Sequence, residues 1–269
     1  MAHELEIVNG VAQMAYVGET PRHGLGTRVP ADVSPAQMLE KAGLDWTVEK
    51  KPLFFDNSGE SQEIEQRALV RTSDNKVMTI VSDEWKPVQN VEAFEFFNDF
   101  VAAGEMSMHT AGSLKGGKMV WALAKVQDSF ELFGGDTIES YLLFSNPHEF
   151  GRSIDIRFTP IRVVCNNTLT MSLAGQASNG VRINHRQTFN GDLVKEMLGV
   201  AKDKLASYKE QAAFLGSKRF TNESLSEYFN RVFPSLSQDK DKSSRQAEDA
   251  MNYLHTQPGA EFAEVSWWQ

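Results

Sequence analysis

The periodicity of the sequence changes at Asn190. Downstream of it, apolar residues recur at the spacing of a long amphipathic helix that ends near Gly216. These apolar positions are Leu193, Val194, Met197, Leu198, Ala201, Leu205, Tyr208 and Ala212. Upstream of it, the apolar segments are shorter, rich in β-branched and aromatic residues, and separated by turn residues. Because strands and helices do not alternate regularly, we expect an α+β fold and not a doubly wound one.

Seven segments upstream of Asn190 have the composition of strands. They are Trp46–Phe55, Gln66–Thr72, Lys76–Ser82, Met106–Leu114, Lys118–Val126, Ile138–Ser145 and Ile154–Cys165. Turn residues at 73–75 predict a hairpin between the second and third of them. The fifth segment is almost continuously apolar, which is typical of a central strand buried on both faces. The sequence therefore predicts a mixed, mostly antiparallel sheet with inserted helices and a helical C-terminal third.

Capping residues place the helices and, with them, the domain boundaries. Ser34 followed by Pro35 is a helix start signal. Helices are predicted over 34–43, 89–103, 191–216, 221–233 and 245–255. Residues 1–33 contain a Gly/Pro-punctuated loop and show no periodic pattern. We therefore predict a loop-rich N-terminal segment over 1–33, an α+β core domain over 34–190 and a helical C-terminal region over 191–269.

Composition limits the classes of protein to which the chain can belong. The 269 residues carry a formal net charge of −9, which argues against coating nucleic acid by charge alone. A single cysteine excludes an internal disulfide and is typical of a reducing cytoplasm. The N-terminus lacks a basic start and an apolar run, and no stretch reaches about 18 apolar residues. We therefore expect a cytoplasmic protein with no membrane partner.

Charge reverses sign within residues 151–190. Five arginines face a single acid there, Asp155, which gives a local charge of +4. The arginines are Arg152, Arg157, Arg162, Arg182 and Arg186. Such a reversal is the electrostatic footprint expected of a site for a polyanion. The alternative is that some of these arginines pair with acids elsewhere in the fold.

The predicted strand Ile154–Cys165 presents two of these arginines in a definite way. Its apolar residues occupy even positions before Pro160 and odd positions after it, which predicts a bulge or an edge position. Arg157 and Arg162 fall on the face opposite their apolar neighbours. We therefore expect both side chains to face solvent or a ligand.

Polar residues near this strand extend the predicted site. Asn166 and Asn167 follow it directly, and amides of this kind hydrogen-bond phosphates and base edges. The alternative role for either amide is to cap a helix that begins there. His185 and Arg186 form a second basic pair in the segment RINHR. These residues complete the predicted nucleic-acid-binding set in this part of the chain.

A lysine-flanked turn joins two predicted strands at residues 115–118. Lys115 and Lys118 flank two glycines, and such a tip suits contacts to a nucleic-acid backbone. A solvated turn is the alternative. The letters from Gly112 to Lys118 also match a phosphate loop, but Met119 follows where Ser or Thr would hold magnesium. A phosphate loop also needs a helix after it, so we do not expect ATP binding here.

Other chemistry has weaker support in the sequence. The six histidines and the single cysteine show no paired ligand spacing, so no metal or other cofactor is predicted. The sharpest enzymatic hypothesis makes Cys165 a nucleophile with His148 or His185 as its base. Against it, a thiol in a Val-Val-Cys segment is most simply a small buried hydrophobe. Enzymatic activity is therefore left open, and no catalytic residue is assigned.

One run of residues resembles a known family. The run LLFSNPHEFGRSIDIRFTPIRVVCNNTL is similar to the core signature of the phage and plasmid-like proteins known as domain of unknown function 932. In that family an Asn/His/Gly turn precedes a strand ending in Arg-x-Val-Cys-x-Asn-x-Leu. The segments PRHGLGTRV, VQNVEAFEFF, TAGSLKGGKMVWALAKV and RINHR agree in order. The resemblance covers most of residues 16–190 and implies a role in mobile DNA without specifying a mechanism.

These observations lead to three functional hypotheses. The first is a single-stranded DNA-binding or annealing protein that works as a homo-oligomer without ATPase activity, similar in layout to the single-strand annealing recombinases. The second is a protein-interaction module that binds a host or phage protein, for example in counter-defence, with Trp267 and Trp268 as an anchor. The third is the Cys165-dependent enzyme. Salt-sensitive DNA affinity separates the first hypothesis from the other two.

Overall fold

The computed structural model describes residues 4–127, 130–131, 137–174, 180–235, 243–254 and 265–267. The strands within these residues are β1 (Ile7–Val8), β2 (Val11–Ala12), β3 (Met14–Val17), β4 (Thr27–Val29), β5 (Val48–Asn57), β6 (Glu60–Arg71), β7 (Lys76–Val81), β8 (Met106–Leu114), β9 (Met119–Val126), β10 (Phe130–Glu131), β11 (Thr137–Ile138), β12 (Tyr141–Pro147), β13 (Ile154–Thr159) and β14 (Gly180–Ile183). The helices are α1 (Pro35–Lys41), α2 (Asn90–Glu95), α3 (Asn98–Ala102), α4 (Asn166–Ala174), α5 (Gly191–Ser217), α6 (Asn222–Val232) and α7 (Arg245–Tyr253).

The chain divides into two compact units. The core unit comprises Met1–Ser129 and Glu139–Asp203, and the C-terminal unit comprises Phe130–Ile138 and Lys204–Gln269. The division after Asp203 lies inside α5 and not at residue 190, where the periodicity of the sequence changes.

A seven-stranded sheet forms the centre of the core unit. Its strand order is β14-β13-β12-β9-β8-β3-β4, and every neighbouring pair is antiparallel except β3 and β4. The nearly continuous apolar strand β9 is the fourth of the seven, so the predicted central position is confirmed. A separate antiparallel sheet, β5-β6-β7, contains the predicted hairpin at 73–75. Together with the helices, these sheets confirm the α+β prediction.

Both faces of the large sheet are covered. Along β9, Val120, Ala122 and Ala124 belong to one apolar cluster, whereas Trp121 and Leu123 belong to the other. The first cluster includes residues of α1 and α2, and the second includes Leu169 of α4. Because side chains alternate between faces, a polar residue on β13 opposite the first cluster meets α4 and not water.

The prediction of an irregular N-terminal segment is wrong in part. Strands β3 and β4 join the edge of the large sheet, and the hairpin β1–β2 precedes them. The backbone N–H of Glu6 donates to the carbonyl of Ser113 on β8, which ties this hairpin to the sheet. Strands of two to four residues are too short to show a period of two, so sequence patterning could not reveal them.

Local signals for helices and turns agree with the structure in most places. Ser34 accepts from the backbone N–H of Gln37 and forms a capping box at the start of α1. The predicted helix over 89–103 is instead two short helices, α2 and α3, which are separated at Phe96 and Phe97. The predicted strand Ile154–Cys165 ends at Thr159, and α4 begins at Asn166.

The C-terminal unit has a small apolar core. Phe220, Leu225 and Leu254 are buried there, and Trp267 packs against Phe220 with ring centroids 5.9 Å apart. The backbone N–H of Trp267 also donates to the carbonyl of Lys218. Trp267 is thus half-buried against this core and is not the freely exposed side chain that the anchor hypothesis assumed, so the anchor role stays a prediction. Trp268 lies outside the described residues.

Three helices, α5, α6 and α7, occupy most of the described residues after 190. Residues 236–242, 255–264 and 268–269 lie outside the description, so a wholly helical C-terminal region stays a prediction. No helix in the described part of the chain combines the length and apolar character that crossing a membrane requires.

Candidate functional site

The connection between β12 and β13, residues 148–153, carries the most exposed chemistry near the basic segment. It follows Pro147 at the end of β12 and turns at Gly151, whose φ of +80° favours glycine. Phe150 has 66% of its surface exposed, and Arg152 is exposed beside it. The turn therefore presents an aromatic ring and a guanidinium side by side at the protein surface.

Two clefts share Gly151–Ser153 as part of their walls. The first cleft has a volume of about 500 Å³, and its lining includes Gln66, Trp85, Phe150, Asn184, His185 and Arg186. The second cleft has a volume of about 430 Å³, and its lining includes Ser145, Asp155, Thr170 and Arg182. Arg152 lines both clefts. The turn at 148–153 thus borders two concave surfaces that contain arginines.

Arg157 does not face solvent, so that prediction is wrong. Its guanidinium is 3% exposed and forms a two-pronged ion pair with Asp155. It also donates to the carbonyls of Ser172 and Leu173 in α4, at 3.2 Å each. Arg157 is buried because α4 covers the face of β13 that the strand pattern predicted to be exposed to solvent. Arg157 joins α4 to β13 and is not available to a ligand.

Arg162 is half-buried and is likewise bonded to protein. Its guanidinium donates to the carbonyl of Val17 at 3.1 Å and to that of Glu19 at 2.7 Å. It therefore ties the segment after β13 to the loop after β3. Both of these hydrogen bonds come from Nη2, whereas the buried Nε has no partner within the described structure. Arg162 is therefore held by protein contacts and, among the described lining residues, borders neither cleft.

Three of the five predicted arginines are exposed around the clefts. Arg182 is 57% exposed and bonds the carboxylate of Asp155 at 2.7 Å. Arg152 lies 3.7 Å from Glu149, with both side chains partly exposed. Arg186 is exposed and, among the described residues, has no acidic partner. Because Asp155 is already paired with Arg157, the surface around Arg182 keeps a positive character.

His185 lies at the inner wall of the first cleft, and its ring is only 2% exposed. It stacks on Trp85 with ring centroids 4.1 Å apart and an interplanar angle of 21°. Its Nδ1 donates to the carbonyl of Lys86 at 3.0 Å, which leaves Nε2 as an acceptor. Burial lowers the pKa of His185, although the backbone groups of Lys86 and Pro147 oppose that shift. Burial therefore favours the neutral ring, and the exposed arginines are the better partners for phosphate.

A buried polar cluster adjoins the turn on its inner side. His148 is fully buried, and its Nε2 donates to the Oδ1 of Asn90 at 2.9 Å. Asn146 donates to the carbonyl of Val88 at 2.9 Å. Burial, followed by the influence of His185 and Arg71, lowers the pKa of His148 to about 3. Two buried atoms of this cluster, Asn146 Oδ1 and His148 Nδ1, have no hydrogen-bond partner within the described structure.

The family model described as Domain of unknown function (DUF932) matches residues 77–268. The chain belongs to this family. The match contains the whole turn 148–153, the basic segment and most of the residues that line both clefts. A search of curated proteins and a search of solved structures found no match.

Cys165, which lies within the family match, is not paired with either predicted base. Its thiol is buried, and Sγ lies 3.7 Å from the Oγ1 of Thr168. His148 and His185 hydrogen-bond to Asn90 and Lys86 instead. Among these described residues, the Cys–His hydrogen bond that the enzyme hypothesis requires is not formed.

The two asparagines after the basic strand are the first residues of α4. In the same first turn, the Oγ1 of Thr168 accepts from the backbone N–H groups of Val164 and Cys165, which precede the helix. Asn167 is exposed and Asn166 is half-buried. Neither is among the described residues that line the two clefts. The structure thus places Asn166 and Asn167 apart from the clefts.

The predicted hairpin with the lysine-flanked turn is confirmed as β8 and β9. Residues of this turn contact other parts of the protein. Lys115 lies 3.9 Å from Glu4, and the carbonyl of Lys118 accepts from the backbone N–H of His148 at 2.8 Å. Lys76 donates to the carbonyl of Gly116 at 2.9 Å. Among the described lining residues, neither Lys115 nor Lys118 borders a cleft.

The predicted site therefore contracts to Arg152, Arg182, His185 and Arg186, and it gains residues that the sequence analysis missed. These are Gln66, Trp85, Phe150 and Asn184. Only Phe150 had a sequence signal, since it lies within the family signature between His148 and Gly151. Among the described residues, no group of three or more His, Cys, Asp or Glu side chains could hold a metal ion.

Proposed function

We propose that the protein binds single-stranded nucleic acid at the surface around Phe150 and Arg152. The observation that supports this best is the exposed aromatic ring of Phe150, which lines one cleft together with the exposed Arg152 and Arg186, while Arg182 lines the second cleft. Arginine binds phosphate through paired N–H donors, and an exposed aromatic ring stacks on unpaired bases of any sequence. Base stacking beside a basic groove is the usual basis of binding to a single strand.

The electrostatics of this surface suit a local interaction. The chain as a whole carries −9, so a strand is repelled from most of the protein and attracted to the arginine surface. The contact between Arg152 and Glu149 is long and partly exposed, so it contributes little and a phosphate group can replace it. The arginines need no rearrangement of the core to reach a ligand.

The biological role that we propose is single-strand binding or annealing in phage or plasmid DNA metabolism, by a homo-oligomer in the cytoplasm. The resemblance of the signature segment to phage and plasmid-like proteins supports the setting, and the single buried thiol of Cys165 is compatible with a reducing compartment. Light scattering with and without an oligonucleotide measures the oligomeric state. A monomer under both conditions would contradict the oligomeric part of the proposal.

Fluorescence anisotropy of a labelled single-stranded oligonucleotide across a salt series tests the binding. We expect wild-type affinity to fall as salt rises, because bound counterions are released from the strand. Arg152→Ala/Arg186→Ala should bind at least about 10-fold more weakly at low salt. The slope of log K against log salt should fall by about 1.4, since each single-strand phosphate contact contributes about 0.7.

The matched control is Arg231→Ala/Arg245→Ala, which removes the same charge from two exposed arginines of the C-terminal unit. We expect this control to bind as the wild type does. Absence of binding by the folded wild type at low salt would overturn the proposal. An equal loss in both double variants would show that net charge, and not the surface around Phe150, governs the affinity.

A further inference from the structure

The first cleft has features that a simple basic groove does not need. Its volume of about 500 Å³ lies within the range of roughly 300–1,000 Å³ that is usual for small-ligand sites. Two aromatic side chains, Trp85 and Phe150, contribute to its lining. Trp85 is 5% exposed, and its stacking on His185 fixes its position, whereas Phe150 is exposed at the surface. A flat ring bound here would contact a fixed aromatic wall and an adjustable one.

Polar groups in the same cleft suit the edge of a nucleobase. Gln66 and Asn184 are exposed and line it, and each amide offers both a donor and an acceptor. The Oδ1 of Asn184 already accepts from the backbone N–H of Arg186 at 2.9 Å, which leaves its amide N–H groups available. His185, which also lines the cleft, is 2% exposed and contributes through its stacking on Trp85. The two exposed amides therefore supply the polar contacts to a base edge.

The two arginines of the cleft suit the phosphate group of a nucleotide. Arg152 and Arg186 both line it, and neither is held by a buried ion pair. A base between Trp85 and Phe150 would bring its phosphate toward these guanidinium groups. Arg152 has one acidic contact among the described residues, with the carboxylate of Glu149 at 3.7 Å.

We propose that the first cleft binds one unstacked nucleobase of a single strand, with Phe150 stacking on the base and Arg152 and Arg186 contacting the adjoining phosphates. This inference rests on the proposed function and adds a specific pocket to it. The shared ligand chemistry is an aromatic base that carries a phosphate group. Such a ligand is supplied by a strand or by a free nucleotide, and the strand is the source to which we commit.

The test compares an intact single-stranded oligonucleotide with a fully abasic one of the same length. Both carry the same phosphates, so electrostatic binding alone gives them equal affinity. If a base enters the cleft, the wild type should prefer the intact strand by about 5-fold or more, the usual contribution of one base–aromatic stack. Phe150→Ala should lose most of this preference while the salt dependence stays the same.

Two controls separate stacking from general damage. Phe150→Tyr keeps an aromatic ring and should keep the preference for the intact strand. Phe54→Ala removes a similarly exposed ring from β5, away from the cleft lining, and should bind as the wild type does. Circular dichroism of each variant checks that the fold is retained.

The outcomes distinguish this inference from the proposed function. Absence of salt-dependent binding to either strand contradicts the function itself. Salt-dependent binding that is equal for both strands, and unchanged in Phe150→Ala, overturns the base pocket and leaves the function standing. A deoxynucleoside monophosphate that saturates the wild type at concentrations at which the oligonucleotide does not bind would assign the cleft to free nucleotides and overturn our choice of the strand.

Discussion

Two arginines on the neighbouring strands β13 and β14 share one acidic partner but differ in their surroundings. Arg157 on β13 and Arg182 on β14 both bond to the carboxylate of Asp155. Arg157 is 3% exposed and also bonds to carbonyls of α4, whereas Arg182 is 57% exposed and borders the second cleft. A shared acidic partner therefore does not imply a shared role. The remaining bonds of each guanidinium decide whether it belongs to the core or to a ligand surface.

Removing each arginine in turn tests whether the two side chains differ in their contribution to stability. Arg157→Ala leaves Asp155 buried with only Arg182 beside it and leaves two carbonyls of α4 without this donor. We expect a loss of about 3–5 kcal/mol in the free energy of unfolding, as for other broken buried ion pairs. Urea unfolding measures it.

Arg182→Ala is the matched variant, because Asp155 keeps Arg157 as its partner. Its unfolding free energy should change by about 1 kcal/mol or less, the usual contribution of an exposed ion pair. Similar losses in the two variants would contradict the division between a structural and an available arginine.

The buried histidine His148 makes stability depend on pH, whereas the arginines stay charged over the same pH range. His148 has a pKa of about 3 in the folded protein, below its ordinary value of 6.5. Between these two values the unfolded chain binds more protons than the folded protein, so stability is full above about pH 6.5 and falls as the pH drops toward 3. We expect His148 to account for a loss of about 2 kcal/mol between pH 6.5 and pH 5.

Urea unfolding at both pH values, for the wild type and for His148→Gln, checks this prediction. The variant should lose less stability over the same interval, and what remains includes the contribution of His185, whose pKa is shifted in the same direction. NMR titration of His148 in the wild type gives the pKa directly. A value near 6.5 would contradict the prediction.

The smallest expected effect extends the comparison to two glycine turns. Gly117 and Gly59 have almost the same φ, +92° and +94°. A Cβ on Gly117 would lie 2.7 Å from the Nη1 of Arg71, whereas a Cβ on Gly59 would meet nothing within 4 Å. Arg71 cannot easily move, since it is ion-paired with Glu6 at 2.7 Å and with Asp74 at 2.6 Å.

Gly117→Ala should therefore cost about 1 kcal/mol more than Gly59→Ala, at the lower end of the usual cost of overpacking. Thermal unfolding of the two variants measures the difference, and the unfavourable φ cancels between them. Equal costs would show that Arg71 does not constrain the turn at residue 117. The predicted contact of Lys115 and Lys118 with a nucleic-acid backbone would then deserve a direct test.

Much of the fold follows from short-range patterns. The unbroken apolar character of β9 predicted its central place in the sheet, and the Ser34–Pro35 signal predicted the start of α1. The turn residues at 73–75 and at 115–117 predicted two hairpins that are present. These features depend on neighbouring residues, and such patterns are visible in a sequence.

The candidate site was predictable only in part. Arg152, Arg182, His185 and Arg186 were identified from the local charge, but Gln66 and Trp85 come from a distant part of the chain. Arg157 and Arg162 have the same local pattern as ligand-binding arginines. Their burial depends on α4 and on the loop after β3, and no periodicity within the strand reports on what covers its second face.

The α+β class, all the described strands of six residues or more, the capped helix at Ser34 and the concentration of arginine in one segment follow from the sequence. Which arginines are exposed, and which aromatic side chains lie beside them, depends on the tertiary structure. The physical reason is that strand periodicity separates two faces but does not say which of them meets water. That choice is made when α4 packs against β13 and leaves Phe150 exposed on the adjoining turn.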